Sequence, residues 1–150
     1  MSLINFINDI EAFAEKTEGA IEDVVRGVRL QALTLPIEKM PVETGQARGS
    51  VVASIGAPKD SPLKNLDKTV EGAIARAQGA INAPVDSLFI VSSNIPYMWT
   101  LEYGGYGRGE GATNKTTRDG YSVQAPNGMF RISAIELRQG IKDVINDVKS

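Results

Sequence analysis

Two glutamates sit inside the most distinctive stretches of this chain. Glu43 lies in Pro41-Val42-Glu43-Thr44-Gly45-Gln46-Ala47-Arg48-Gly49-Ser50, and Glu102 in Leu101-Glu102-Tyr103-Gly104. A pair of carboxylates is what glycosidase-like acid–base chemistry requires. Composition removes most other catalytic routes. The chain has no His and no Cys, so a serine–histidine triad, a thiolate nucleophile and a conventional zinc site are all excluded. Acid–base work would fall to carboxylates, Lys or Tyr with shifted pKa values. Structural ion pairs far outnumber catalytic ones, so the favoured reading of both glutamates is structural. Glu43 then supports a turn, and Glu102 lies on a short helix near an arginine.

Arg48 is suited to phosphate or to a bidentate bond with a carboxylate. We expect a pair with Glu102, or a salt bridge between subunits. Tyr97, Trp99, Tyr103 and Tyr106 cluster within ten residues. Stacking on single-stranded bases would need a basic groove beside such rings, and none is visible, so packing or an interface is expected. Residues 104–120 carry six glycines. A phosphate-binding P-loop would need a Lys and a following helix, and Gly105-Tyr106-Gly107-Arg108-Gly109 has neither. The segment reads as a flexible arm that orders against a neighbouring subunit.

The elements that position these residues follow from periodicity. Residues 3–35 read as a helix, with Leu3, Phe6, Ile7, Ile10, Phe13, Ala14, Ile21, Val24, Val25 and Val28 on one stripe and an acidic outer face. Ser2 is its expected N-cap, and Pro36 is expected to end it by residue 35. Residues 41–50 read as a turn with Gly45 at positive φ. Residues 50–55 read as a strand and 56–65 as an exposed loop. A second helix is expected over 66–82, with Val70, Ala73, Ile74, Ala77 and Ile81 on one face. A strand over 87–92 follows. Pro96 is expected in the first turn of a short helix over 97–103. Tyr121–Val123 reads as a short strand, and 129–148 as a final helix carrying Phe130, Ala134, Leu137, Ile141, Val144, Ile145 and Val148.

These patterns predict a single α+β domain over residues 1–150. Long N- and C-terminal helices pack on a small, mainly antiparallel sheet, with a long Gly-rich loop. At 42% hydrophobic and 23% charged residues, the composition is that of a globular domain, and a net charge of −2 gives no general affinity for nucleic acid. No apolar run reaches the roughly 20 residues that span a bilayer. The N-terminus lacks the basic region of a secretory signal, so a cytoplasmic site of assembly and no membrane partner are expected.

The two motifs, in this order between terminal helices, resemble the neck or tail-completion proteins of long-tailed bacteriophages, the group that includes the lambda minor tail protein Z. Residues 41–50 look like that family's Pro-Val-Asp-Thr-Gly-x-Leu-Arg-x-Ser pattern, with Glu43 for Asp and Ala47 for Leu. Asn94, Pro96, Tyr97, Glu102, Tyr103 and Gly104 match its second motif, with Met98 where Ala is usual. Ala125, Pro126, Phe130 and Arg131 fit the start of its last helix. The similarity covers roughly residues 20–145.

The resemblance implies a virion structural protein with no enzymatic activity and no cofactor. It would form a homo-oligomeric ring, a hexamer, in the neck. Its neighbours would be the portal-side head–tail connector and the tail terminator or tail tube protein, with genomic DNA passing through the lumen. The residues expected at interfaces or in structural roles are Glu43, Thr44, Gly45, Arg48, Asn94, Pro96, Tyr97, Trp99, Glu102, Tyr103, Gly104, Tyr106 and Arg108. One side of the ring interface would be the arm at 104–120 with the aromatics at 97–106, and the N-terminal helix would be part of the other. Competing readings are a tail terminator on the tail side and a small carboxylate-dependent enzyme.

Overall fold

The computed structural model describes residues 20–42, 45–62, 66–105, 117 and 121–149. The expected Ser2 cap and residues 3–19 of the first helix lie outside the described residues. The elements are α1 (Ala20–Glu38), α2 (Gln46–Gly49), β1 (Val52–Ile55), α3 (Glu71–Ile81), β2 (Phe89–Ser92), α4 (Met98–Tyr103) and α5 (Phe130–Lys149). The expected α+β arrangement is found, with α1 and α5 at the two ends packed against each other. The sheet has two antiparallel strands, registered Val52↔Ser92 through Ile55↔Phe89. Among the described residues, no helix is long and apolar enough to cross a membrane.

Pro36 does not stop α1 at residue 35, contrary to the sequence reading. The helix continues to Glu38 and closes with tight turns from Lys39 N–H to Pro36 O and from Met40 N–H to Ile37 O. Proline in a helix removes one backbone bond and crowds the preceding turn. Here it stands in the last turn, and its ring is fully buried beside Leu33, Ile37 and Met40. Burial of this ring together with Leu33 and Ile37, each aliphatic side chain worth about 1.5–3 kcal/mol, is enough to offset the lost backbone bond.

Helix α3 lies against β1 and α1. Its buried residues are Ala73, Ala77 and Ile81, at steps of four, and the two alanines let the backbones approach closely. The helix starts at Glu71 rather than 66. Asp67 causes this: its carboxylate accepts from the N–H and the hydroxyl of Thr69 and turns the chain before the helix. Gly72 follows from the same turn, since a Cβ there would overlap the Asp67 carboxylate.

The core is closed by Val51, Met98, Leu101, Ala125 and Met129. Three other expectations are corrected. The segment 41–50 is not only a turn, because Gln46–Gly49 forms one helical turn, and β1 therefore begins at Val52 rather than 50. Pro96 lies outside the short helix, which starts at Met98 after Tyr97. Tyr121–Val123 is not a strand of the sheet. The chain there runs through consecutive turns, with Ala125 N–H on Ser122 O and Gly128 N–H on Ala125 O.

Candidate functional site

The first motif is organised by Gly45 and Arg48. Gly45 has φ 80°, as expected for the residue that opens α2. Its carbonyl accepts from Gly49 and from Asp67, and a Cβ would come within 2.9 Å of the Asp67 backbone. Arg48 does not pair with Glu102. Its guanidinium donates to three backbone carbonyls, Met40 (3.1 Å), Lys68 (3.1 Å) and Glu38 (3.1 Å). Those carbonyls belong to the end of α1 and the approach to α3. Helix ends leave carbonyls without intrahelical partners, and a planar fork of donors suits them. Arg48 thus ties three segments together. Glu43 and Thr44 lie outside the described residues.

The second motif is organised by Glu102, a residue of α4 that is 5% exposed. Its Oε2 accepts from the N–H groups of Met129 (2.8 Å) and Phe130 (2.8 Å). Its Oε1 accepts from Arg131 N–H (2.9 Å) and Arg131 Nε (3.0 Å). Arg131 also donates to the Glu102 carbonyl at 2.7 Å. The carboxylate therefore caps the N-terminus of α5, where free N–H groups and the helix dipole favour negative charge. Burial pushes the Glu102 carboxyl up. The backbone bonds from Arg131, Phe130 and Met129, with the Arg131 side chain, outweigh it and hold the group below the ordinary carboxylate range. The arginine expected near Glu102 is Arg131. With both oxygens engaged by two donors each, Glu102 is an anchor rather than a free acid or base.

Gly128 makes this cap possible. It has φ 75°, and a Cβ would lie 2.6 Å from the Glu102 carbonyl oxygen. The sequence reading passes over this position, although a glycine just before a helix start is a readable signal.

The aromatic cluster divides. Tyr97 is partly buried against the core. Trp99 and Tyr103 stand on the outer face of α4, 71% and 45% exposed, with ring centroids 4.2 Å apart. The Arg131 guanidinium lies 4.3 Å from the centre of the Tyr103 ring. The carboxylate that caps α5 thus also aims the cation that braces the aromatic pair. Tyr106, Arg108 and most of the 104–120 arm lie outside the described residues. Gly104 closes α4 at φ 80°. Asn94 accepts from Ser61 N–H (2.8 Å) and donates to Asp60 (2.8 Å), so it staples the 57–62 loop to the end of β2. Pro96 is exposed beside it.

Comparison with family models, with curated proteins and with solved structures finds no match.

One buried cation escapes the sequence reading. Arg29 is 4% exposed and donates to the carbonyls of Ala80 (3.4 Å), Ile81 (3.2 Å), Ala83 (2.6 Å), Pro84 (2.9 Å) and Ser87 (3.3 Å). It caps the C-terminus of α3 and lies over Phe89 at 5.7 Å. A cavity of about 270 Å³ opens beside it, lined also by Glu22, Arg26 and the turn at 82–85. Its cations are already engaged, since Arg29 serves carbonyls and Arg26 pairs with Asp23 (2.9 Å) and Glu22 (3.6 Å). Among the described residues, no group of three or more acidic side chains could hold a metal ion.

Proposed function

We propose that this chain is a subunit of a ring in the neck of a tailed bacteriophage, joining the DNA-filled head to the tail. The supporting observation is the exposed Trp99–Tyr103 pair, fixed by the Glu102–Arg131 anchor inside the very motif that carries the resemblance. Rigid exposed aromatics backed by an arginine are the composition of interface hot spots. A closed ring needs a heterologous interface, in which one patch meets a different patch on the next subunit. The aromatic pair and the 104–120 arm supply one side, and the N-terminal helix contributes to the other. Six copies would surround a lumen for DNA. Contacts with DNA would be transient and electrostatic, in keeping with a net charge of −2. The ring would meet the portal-side connector at one end and the tail terminator or tail tube at the other.

The test is electron microscopy of particles carrying a tagged copy. Label at the head–tail junction is expected, and label elsewhere or none would overturn the reading. Deletion of 105–119 separately examines the arm. Heads and tails should then fail to join, whereas normal infectious particles would remove the arm from the interface.

A further inference from the structure

Helix α5 carries an outward stripe that, beyond Arg131, the fold does not use. Arg131, Ile135, Arg138 and Lys142 recur at steps of four, three and four and are all exposed, Ile135 at 71%. At 100° per residue these four fall within a narrow arc. The stripe begins where Arg131 meets Tyr103, so it continues the Trp99–Tyr103 surface along the helix. The ion pairs among the described residues engage Arg26, Lys39 and Arg131, and neither Arg138 nor Lys142 is in one. The neighbouring acids are turned to other work: Glu136 pairs with Lys39 at 2.7 Å, and Asp143 accepts from Gln139. The surface is therefore a cationic stripe with one exposed isoleucine, continuous with the exposed Trp99–Tyr103 pair.

The sequence of this same chain contains its complement. Residues 1–19 hold four carboxylates, Asp9, Glu11, Glu15 and Glu18, against Lys16 alone. At helical spacing, Leu3, Phe6, Ile7, Ile10 and Phe13 share one arc. Glu11 and Glu18 border that arc on one edge and Asp9 on the other. Residues 3–14 as a helix would run about 18 Å, close to the rise from Arg131 to Lys142. Trp99, Tyr103 and Ile135 offer apolar surface to that arc, and the carboxylates at its edges are opposite in charge to the cations of the stripe.

We infer that the face formed by Trp99, Tyr103 and the Arg131–Lys142 stripe is the receptor for the N-terminal segment, residues 3–18, of a second copy of this chain. The inference rests on the ring reading and supplies its missing contact. A segment of one copy seated on α5 of the next is a head-to-tail interface of the kind that closes a ring.

Trp99 is the chain's single tryptophan, so its fluorescence reports directly on this surface. The experiment follows mass by light scattering, and Trp99 emission and acrylamide quenching, on the full chain across concentration. Three variants are compared: deletion of residues 2–18, Arg138→Glu with Lys142→Glu, and that pair combined with Glu11→Lys and Glu18→Lys. Arg138 and Lys142 take no part in the Glu102 cap, so circular dichroism should be unchanged by their reversal. Association of the wild type should shift Trp99 emission to the blue and protect it from quencher. Deletion should abolish both effects. The double reversal should weaken association about tenfold at low salt, and the four-fold swap should restore it. Association with full Trp99 protection in the deletion variant would overturn the inference. An oligomer in which Trp99 stays freely quenched would also overturn it, while leaving a ring built on other surfaces. A monomer with Trp99 shielded would mean the segment covers its own chain, and a monomer with Trp99 open at every concentration would likewise refute docking in trans. In each of those cases the ring reading is judged by particle labelling instead.

Discussion

Replacing Glu102 by Gln separates helix capping from ion pairing. The side chain keeps its shape, but one of its two oxygens becomes an NH2 group. Each oxygen faces two N–H donors, so either orientation of the amide points donor at donor. A hydrogen bond to a charged acceptor is worth about 1.5–3 kcal/mol, and a buried donor left unpaired costs about 1–3 kcal/mol. With some relaxation, Glu102→Gln should cost about 3–4 kcal/mol. Arg131→Gln leaves the three backbone bonds to the carboxylate in place and removes a cationic side chain that is 52% exposed and therefore screened. It should cost only a minor part of what Glu102→Gln costs. The assay is urea unfolding followed by far-ultraviolet circular dichroism, with the slope of the transition unchanged. In a domain of this size, 3 kcal/mol corresponds to a fall of roughly 6–12 °C in Tm. The pH dependence has a fixed sign. The folded-state pKa of Glu102 lies below its ordinary value of 4.5. Its contribution is thus fully present above the unfolded pKa and is lost as pH falls through the folded one. The gap between wild type and Glu102→Gln should be constant near neutrality and shrink below about pH 4.5. If the two single variants cost the same, or if the gap widens in acid, the capping argument is wrong.

Gly128→Ala should lower stability by about 2 kcal/mol or more, through a positive φ and overlap with the Glu102 carbonyl. By contrast, Gly27→Ala, inside α1 with open space around it, should raise stability by about 0.5–1 kcal/mol in the same melts. Arg29→Met should cost about 2–4 kcal/mol, and Arg29→Lys should recover little of it, because one ammonium cannot reach five carbonyls; equal stability of the Arg29→Lys variant and wild type in denaturant titrations would refute the cap. Arg48 and Glu102 have no partner in common, so a double-mutant cycle with Arg48→Met and Glu102→Gln should be additive within about 0.5 kcal/mol, and a larger coupling would revive a direct pair.

Periodicity made the elements legible. A helix face repeats along the chain, so α3 could be read from Val70 through Ile81, and the paired strands from their β-branched runs. The helix ends were less legible, because they are decided by side chains reaching from elsewhere. Asp67 sets the start of α3, and Arg29, about fifty residues away, serves its end. Arg29 could have been suspected as a cation one turn from Leu33 on an apolar stripe. Its five acceptors could not, since they become neighbours only after the chain folds. The same holds for Glu102. Its motif marks it as important and near an arginine. Glu102 and Arg48 carry charges of opposite sign, and only the folded chain shows that each faces backbone rather than the other. Pro36 misled for the reverse reason: a local rule yielded to the burial of its ring.

The Glu102 cap has a consequence for how this chain can change over time. Glu102 and Met129 are fastened to each other, so the whole stretch between them begins and ends at one closed gate. Once the ends of a loop are joined, doubling its length adds only about 0.6 kcal/mol of entropy cost. The part between Gly105 and Tyr121 can therefore be lengthened, shortened or exchanged with little strain passed to the core, whereas Ala125 in the core and Gly128 at the cap must be kept. An epitope or a foreign binding sequence grafted there would leave Leu33, Val51 and Met129 undisturbed. Selection could likewise rewrite what this protein touches while retaining the scaffold that presents it.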